Sequence, residues 1–327
     1  MTRRTPPEVA GSVAQHKLTT SKLLALLLIA SSVTAFDYTV FSVDRNMREA
    51  RRQSYLELLE GRAKSPYRYR ILVPALTAAV LKVGERVMNP EAAFHRVNGL
   101  ISAAAIVLLL FVLHRYLTTW FTDEQALVGV LLTACTLPIT LRQHLYAPYS
   151  LLEPTLFTLA LMAIFHGSLL GVFLTTVVAS LNRETGILVP IAFLWSLIHC
   201  RPVSSRHALS GVVCLASSIG IFYGLRWYLG PADAAVTVGD VWSINSSFEG
   251  LTSAATNVAL FAGVAGWVLA IIGFRNTPPF VRRMSCVALL YGAMYLVWGI
   301  WYEVRLLMPL YPFLVPAMLS ALYAPRP

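Results

Sequence analysis

Charge is what this chain has least of. Asp, Glu, Lys and Arg together make up 13% of its 327 residues and 57% are hydrophobic, whereas a soluble globular domain carries about 25% charged and roughly 45–50% apolar residues. A mean hydropathy of +0.64 agrees. So few charges cannot cover a water-facing surface, which excludes a soluble enzyme and makes lipid the solvent. A hydrophilic stretch of domain size is also missing, so residues 1–327 are expected to form one all-α, polytopic membrane domain. Cysteine is scarce: Cys135, Cys200, Cys214 and Cys286 have neither paired nor metal-ligand spacing, and no disulfide framework or structural zinc is expected. The first apolar run, Leu23 to Val43, lacks a convincing small-residue cleavage site. It is expected to stay as the first span behind a basic, cytoplasmic tail at 1–20.

A transmembrane helix needs about 20 mostly apolar residues. The runs predict ten spans, near 21–41, 97–115, 125–141, 151–168, 169–181, 186–199, 207–228, 254–273, 284–301 and 306–323. With the N-terminus inside, Arg201, Arg206, Arg275, Arg282 and Arg283 fall in cytoplasmic gaps, as the positive-inside rule requires. That rule absorbs most of the formal charge of +10 and removes the reason to invoke nucleic acid as a partner. The run at 71–84 is only about half a span long, and counting it as one would put the basic gaps outside. It is therefore expected to lie in the membrane interface.

The first external loop, 42–96, breaks the charge rule. Between Asp44 and Arg70 stand eight basic residues against four acidic ones. Met47, Ser54-Tyr55 and Leu58-Leu59 recur there at helical spacing with arginines between them, the pattern of an amphipathic helix on the headgroups. Such a face either touches lipid phosphate or docks an anionic, phosphate-bearing substrate.

Under this topology four polar clusters reach the same outer side. Asp37 and Asp44 close the first span and are followed by Tyr67-Arg68-Tyr69-Arg70; Arg142 to Tyr149, including His144 as a possible ligand, leads to Glu153. Asn182-Arg183-Glu184-Thr185 separates two apolar runs of about 13 residues, each near 20 Å as helix, too short for a hydrocarbon core of about 30 Å. A backbone break carrying an Arg and a Glu is tolerated at that depth where protein or water lines it. It serves either a site or a structural ion pair. The fourth cluster is Glu303-Val304-Arg305. Two apart, Glu303 and Arg305 would not share a helix face, so each is expected to meet a partner elsewhere. Pro309, Pro312 and Pro316 predict a kinked final span.

The segments Leu59 to Pro74 (LEGRAKSPYRYRILVP), Leu181 to Thr185 (LNRET) and Glu303-Val304-Arg305 with Pro309 and Pro312 resemble, in order along most of the chain, a bacterial group of multi-span proteins related to the GT-C glycosyltransferases. The resemblance implies a GT-C-like bundle with surface helices in the first external loop. It implies a polyprenyl-phosphate-linked sugar as donor, a glycan, lipid or protein as acceptor, and a site on the outer face of the bacterial inner membrane. It also implies a carboxylate after the first span as base, falling on Asp44 or Asp37, with Arg68 and Arg70 matching the basic motif. The chain is shorter than the better-known members and carries Glu153 where many relatives have Asp, so a divalent metal stays an open option. The candidate substrate-binding set is then Arg68, Arg70, Glu153, Asn182, Arg183, Glu184, Glu303 and Arg305. A flippase or transporter of lipid-linked sugar would also want a charged cavity and broken helices, but the inverted repeat common in such proteins is not visible. A non-catalytic envelope scaffold would use Arg183 and Glu184 for pairing alone.

Overall fold

The computed structural model describes residues 20–43, 45–141, 150–199, 204–264 and 266–326. Among the described residues 84% are helical and none is in a strand. α1 (Thr20–Val43), α4 (Pro90–Leu117) and α5 (Asp123–Leu141) pack together at the start of the bundle. Lys22 binds Asp123 and Glu124, each at 2.9 Å, so the first turns of α1 and α5 adjoin. Leu109, Leu113 and Leu117 of α4 join Val130 and Leu137 of α5 in the fully buried core.

α2 (Arg45–Leu59) occupies the stretch where the arginine-rich pattern predicts a helix, and α3 (Leu72–Gly84) the short apolar run after it. Thirteen residues span about 20 Å as helix, well short of a bilayer core. Tyr55 of α2 meets Phe94 of α4 with ring centroids 5.2 Å apart, which holds α2 against the bundle.

α6 (Leu152–His166) and α7 (Leu169–Asn182) form an antiparallel pair.

 The turn between them uses Gly167 in the left-handed conformation (φ +71°) and Ser168, whose Oγ accepts from Gly171 N to cap α7, Leu169–Asn182. α7 stops where the run lengths predict a break. Arg183 is extended (φ −162°, ψ 155°), a 3₁₀ turn follows at Glu184–Ile187, and α8 runs Leu188–His199.

α9 (Ser205–Leu229) and α13 (Pro279–Trp298) are peripheral, with 17% and 22% of their apolar windows buried. The last segment, Val304–Leu322, is 83% buried and forms the centre. It is not α-helical throughout: Val304–Leu310, which contains Pro309, is a 3₁₀ helix and α14 proper is Tyr311–Leu322. Between these lie α10 (Val238–Ser246), α11 (Phe248–Val264) and α12 (Trp267–Gly273).

Two differences from the expected spans have local causes. α11 begins at Phe248, six residues before the predicted span, because Ser247 Oγ accepts from Gly250 N and starts the helix there. The predicted span 254–273 is not one rod: Phe248–Gly263 and Trp267–Asn276 are bent by 59°, with Gly266 left-handed at the break (φ +63°).

Each expected span coincides with a helix, a helix pair or a 3₁₀–α run. Among the described residues five helices are long and apolar enough to cross a bilayer, or six with the bent pair taken as one. This is the architecture of an α-helical, multi-pass membrane protein.

Gly186 lets the turn after Arg183 lie against the end of α7, since a Cβ there would come within 2.5 Å of the Ala179 and Ser180 backbone. Gly186→Ala is expected to destabilise by about 2 kcal/mol, the usual scale of overpacking. Gly220→Ala, in open space on α9, should leave stability unchanged or raise it. Thermal unfolding of both variants in nanodiscs checks this; equal unfolding temperatures would mean that the turn is not packed as described.

Candidate functional site

Three buried arginines meet three glutamates where the broken helix, the first loop and the start of the last segment converge. The extended backbone at Arg183 is the pivot, because consecutive side chains of an extended chain point to opposite sides. Arg183 reaches back to Glu153 on the first turn of α6, Nη1 to Oε2 at 2.5 Å. Glu184 turns the other way and accepts from Arg70, Nε at 3.0 Å and Nη2 at 2.9 Å. Thr185 Oγ1 donates to the second Glu153 oxygen. Both Glu153 oxygens are thus engaged in a residue only 2% exposed.

The third pair corrects an expectation. Glu303 and Arg305 bond each other, Arg305 Nη2 to Glu303 Oε2 at 2.7 Å. The expectation assumed an α-helix, but Glu303 has φ −84° and ψ 76°, outside helical space, and it precedes a 3₁₀ turn. Arg305 Nη1 also donates to Ser150 Oγ at 3.2 Å, tying the last segment to the start of α6. Arg70, Glu153, Arg183 and Arg305 all lie within electrostatic range of Tyr291 on α13, whose hydroxyl donates to Leu306 O at 2.6 Å.

Arg68 stands apart from this network. Its guanidinium donates to the carbonyls of Leu229 and of Pro231, the latter at 3.0 Å, while Tyr69 Oη donates to Gly230 O at 3.1 Å. Arg226 lies over the Tyr69 ring at 4.4 Å. Ser65 adds two backbone bonds, N to Asp233 O at 2.8 Å and O from Ala235 N at 2.7 Å. A cation is well placed on the carbonyls at a helix C-terminus, so this half of the basic motif fastens the first loop to the end of α9. Asn182 is buried in the last turn of α7. Asp44 and His144 lie outside the described residues, as does the side chain of Asp37. Among the described residues no three His, Cys, Asp or Glu groups come together as a metal site would need.

Two cavities flank the network. The first, about 500 Å³, opens between α2, the loop after it and the starts of α3 and α4. Its wall carries Arg51, Arg62, Lys64 and Arg305 against Glu57 and Glu303, with Tyr67 and Asn98. The second, about 580 Å³, is a groove between α7, α9 and α13, walled by Ile187, Ile219, Phe222 and Met294, with Arg183 and Glu184 as its charged members. The network therefore stands between a polar chamber and an apolar groove. All six of its charged members, Arg70, Glu153, Arg183, Glu184, Glu303 and Arg305, are candidates in the sequence, spread over four polar clusters. Thr185 stands in its cluster without a role assigned to it, and Tyr291 and Ser150 go unseen, because a tyrosine or a hydroxyl in an apolar run gives no distinguishing signal.

No protein-family model, curated protein or solved structure matches the chain.

Removing one member of a buried pair leaves an uncompensated charge. Glu153→Gln is expected to destabilise by about 3–5 kcal/mol, whereas the double change Glu153→Leu with Arg183→Met should lose less than the sum of the two single changes. A double-mutant cycle read by unfolding checks it; additive effects would mean that Arg183 and Glu153 do not depend on each other.

Proposed function

We propose that this protein is a membrane glycosyltransferase of GT-C type, which moves a sugar from a polyprenyl-phosphate donor to an acceptor hydroxyl at the outer face of a bacterial inner membrane. In this reading the bundle crosses ten times with its N-terminus inside. The observation that carries it is the first cavity, whose wall joins the cations of the first loop to the Arg305–Glu303 pair. Its volume of about 500 Å³ falls in the range of small-molecule sites, roughly 300–1,000 Å³. The apolar groove that begins at Arg183 and Glu184 suits an isoprenoid chain.

The chemistry asks for little beyond these parts. The acceptor oxygen attacks the anomeric carbon, the bond from that carbon to the phosphate oxygen breaks, and the phosphate leaves with the electron pair. A carboxylate takes the acceptor proton; the family resemblance assigns that role to Asp44 or Asp37. Phosphate is already a good leaving group and needs no general acid. Charge developing on it is met by charge-assisted bonds from arginine and lysine, stronger in a partly desolvated cavity than in water. Lys64, Arg51 and Arg305 supply such cations on the cavity wall. Arg70 and Arg183 are held by Glu184 and Glu153, so their part is to fix the shape of the wall.

The test is transfer of labelled sugar from a panel of polyprenyl-phosphate donors by the protein reconstituted in liposomes. Wild type should transfer, and either Asp44→Asn or Asp37→Asn should lower kcat by roughly 10²–10⁴-fold, the usual worth of a general base, with donor binding retained. Arg305→Gln should weaken donor binding. Full transfer by a variant lacking both aspartates removes the assignment of the base. Donor crossing the bilayer with no transfer from any donor would make the protein a flippase.

A further inference from the structure

Tyr302 and Glu303 are neighbours in the chain but line different cavities. Glu303 lines the polar chamber described above, and Tyr302 lines a third cavity of about 970 Å³ between α1, α5, α10 and α11. α11 gives that cavity Glu249, Thr252, Ser253, Thr256 and Asn257. Steps of three and four residues put all five on one face of the helix, on a segment otherwise apolar enough to belong to a span. Side chains of this kind are costly against lipid and are kept where they face a cavity.

The chemistry of the wall selects the occupant. Four cations line the first chamber, but among the described residues lining the third there is no Lys, Arg or His, and Glu249 is its charged member. Phosphate is disfavoured there. Hydroxyls, an amide and a carboxylate are instead the groups that exchange hydrogen bonds with a polyol, and the rings of Phe36 and Tyr302 offer apolar faces to its C–H side. The Ser253 and Thr256 hydroxyls have no protein partner among the described residues, whereas Thr252 Oγ1 bonds Phe248 O at 2.9 Å. Asn257 Nδ2 donates to Tyr302 O at 3.1 Å, which ties the polar face of α11 to the residue before Glu303. Burial, then Glu303 and Glu249, push the Tyr302 hydroxyl above its ordinary pKa.

We propose that the third cavity is the seat of a neutral saccharide, bound on the polar face of α11 through Ser253, Thr256 and Glu249. As the hydroxyl-bearing acceptor it would rest on the transferase reading above; as a binding site it does not. The two linings then divide the reactants by charge: the anion goes to the arginine-lined chamber and the uncharged sugar to the hydroxyl-lined one, with Glu303 in the wall of the first and Tyr302 in the wall of the second.

The experiment is photolabelling of the full chain in nanodiscs with diazirine-bearing octyl glucoside, galactoside and mannoside, each below its micelle concentration, against diazirine-bearing octanol as the sugar-free control. At least one glycoside should label residues 249–260 above the control. Thr256→Val should cut that labelling about three- to tenfold, the scale of a lost hydrogen bond, and Ser253→Trp should cut it at least as far by covering the polar face of α11. Should the tryptophan variant fail to fold, the near-isosteric Thr256→Val, on an exposed position, carries the test. Labelling no greater than with octanol, or unchanged in the folded variants, overturns the proposal. Labelling requires no reaction, so a wild type that labels here but transfers nothing sinks the transferase reading alone, and one that transfers but does not label sinks this proposal alone.

Discussion

Burying a guanidinium in an apolar bundle is the constraint on which the rest of this structure depends. Each of Arg70, Arg183 and Arg305 is less than a tenth exposed, and an arginine so placed is tolerated only with a carboxylate and further polar partners around it. Meeting that demand joins distant parts of the chain. Arg70 brings the first loop to the break after α7, Arg183 ties the break to the start of α6, and Arg305 ties the last segment to Ser150 just before α6. The extended residue at 183 and the close approach at Gly186 follow from the same need, because a continuous helix would have turned Arg183 and Glu184 by about 100° rather than to opposite sides.

Charge balance then determines what the network can do. Three arginines and three glutamates leave it formally neutral, so it acts as a rigid partition more than as a phosphate trap. Attraction for an anion comes from the first loop, where Arg51, Arg62 and Lys64 line the adjoining chamber. Arg305 belongs to both systems: it is paired to Glu303, yet it forms part of the chamber wall. Under the proposed function, a phosphate arriving there would compete with Glu303 for the guanidinium, and displacement would free the Glu303 carboxylate at the cavity wall.

Much of this was legible in the sequence, for reasons that can be traced to particular residues. Run length exposed the break at Asn182-Arg183-Glu184, because two runs of about 13 residues cannot each cross a bilayer. Spacing revealed α2, and proline density the irregular start of the last segment. The pairings were not legible. Which glutamate meets which arginine depends on tertiary packing, and the Glu303–Arg305 contact was missed because helix geometry was assumed where the chain is not helical. The polar face of α11 was present in the spacing of Glu249, Thr252, Ser253, Thr256 and Asn257, but the expected span began at residue 254 and cut that face in two. Only the cap at Ser247 places all five on one helix.

That last omission bears on how the three cavities relate. A hydropathy window sees polar residues at the start of α11 as the end of a span, yet the helix continues through them, and continuation is what turns scattered hydroxyls into a wall. The same logic separates the chambers by chemistry. Cations cluster on α2 and its loop, apolar surface on α9 and α13, and uncharged polar groups on α11, each on its own helix. The charged partition meets all three through adjacent residues: Arg183 and Glu184 at the groove, Glu303 and Arg305 at the cationic chamber, and Tyr302 at the hydroxyl-lined one. An arrangement that needed only stability could have replaced the three ion pairs by apolar side chains at little loss. Under the proposed transferase reading, the ion pairs are kept because the partition they form carries residues that line all three chemically distinct cavities.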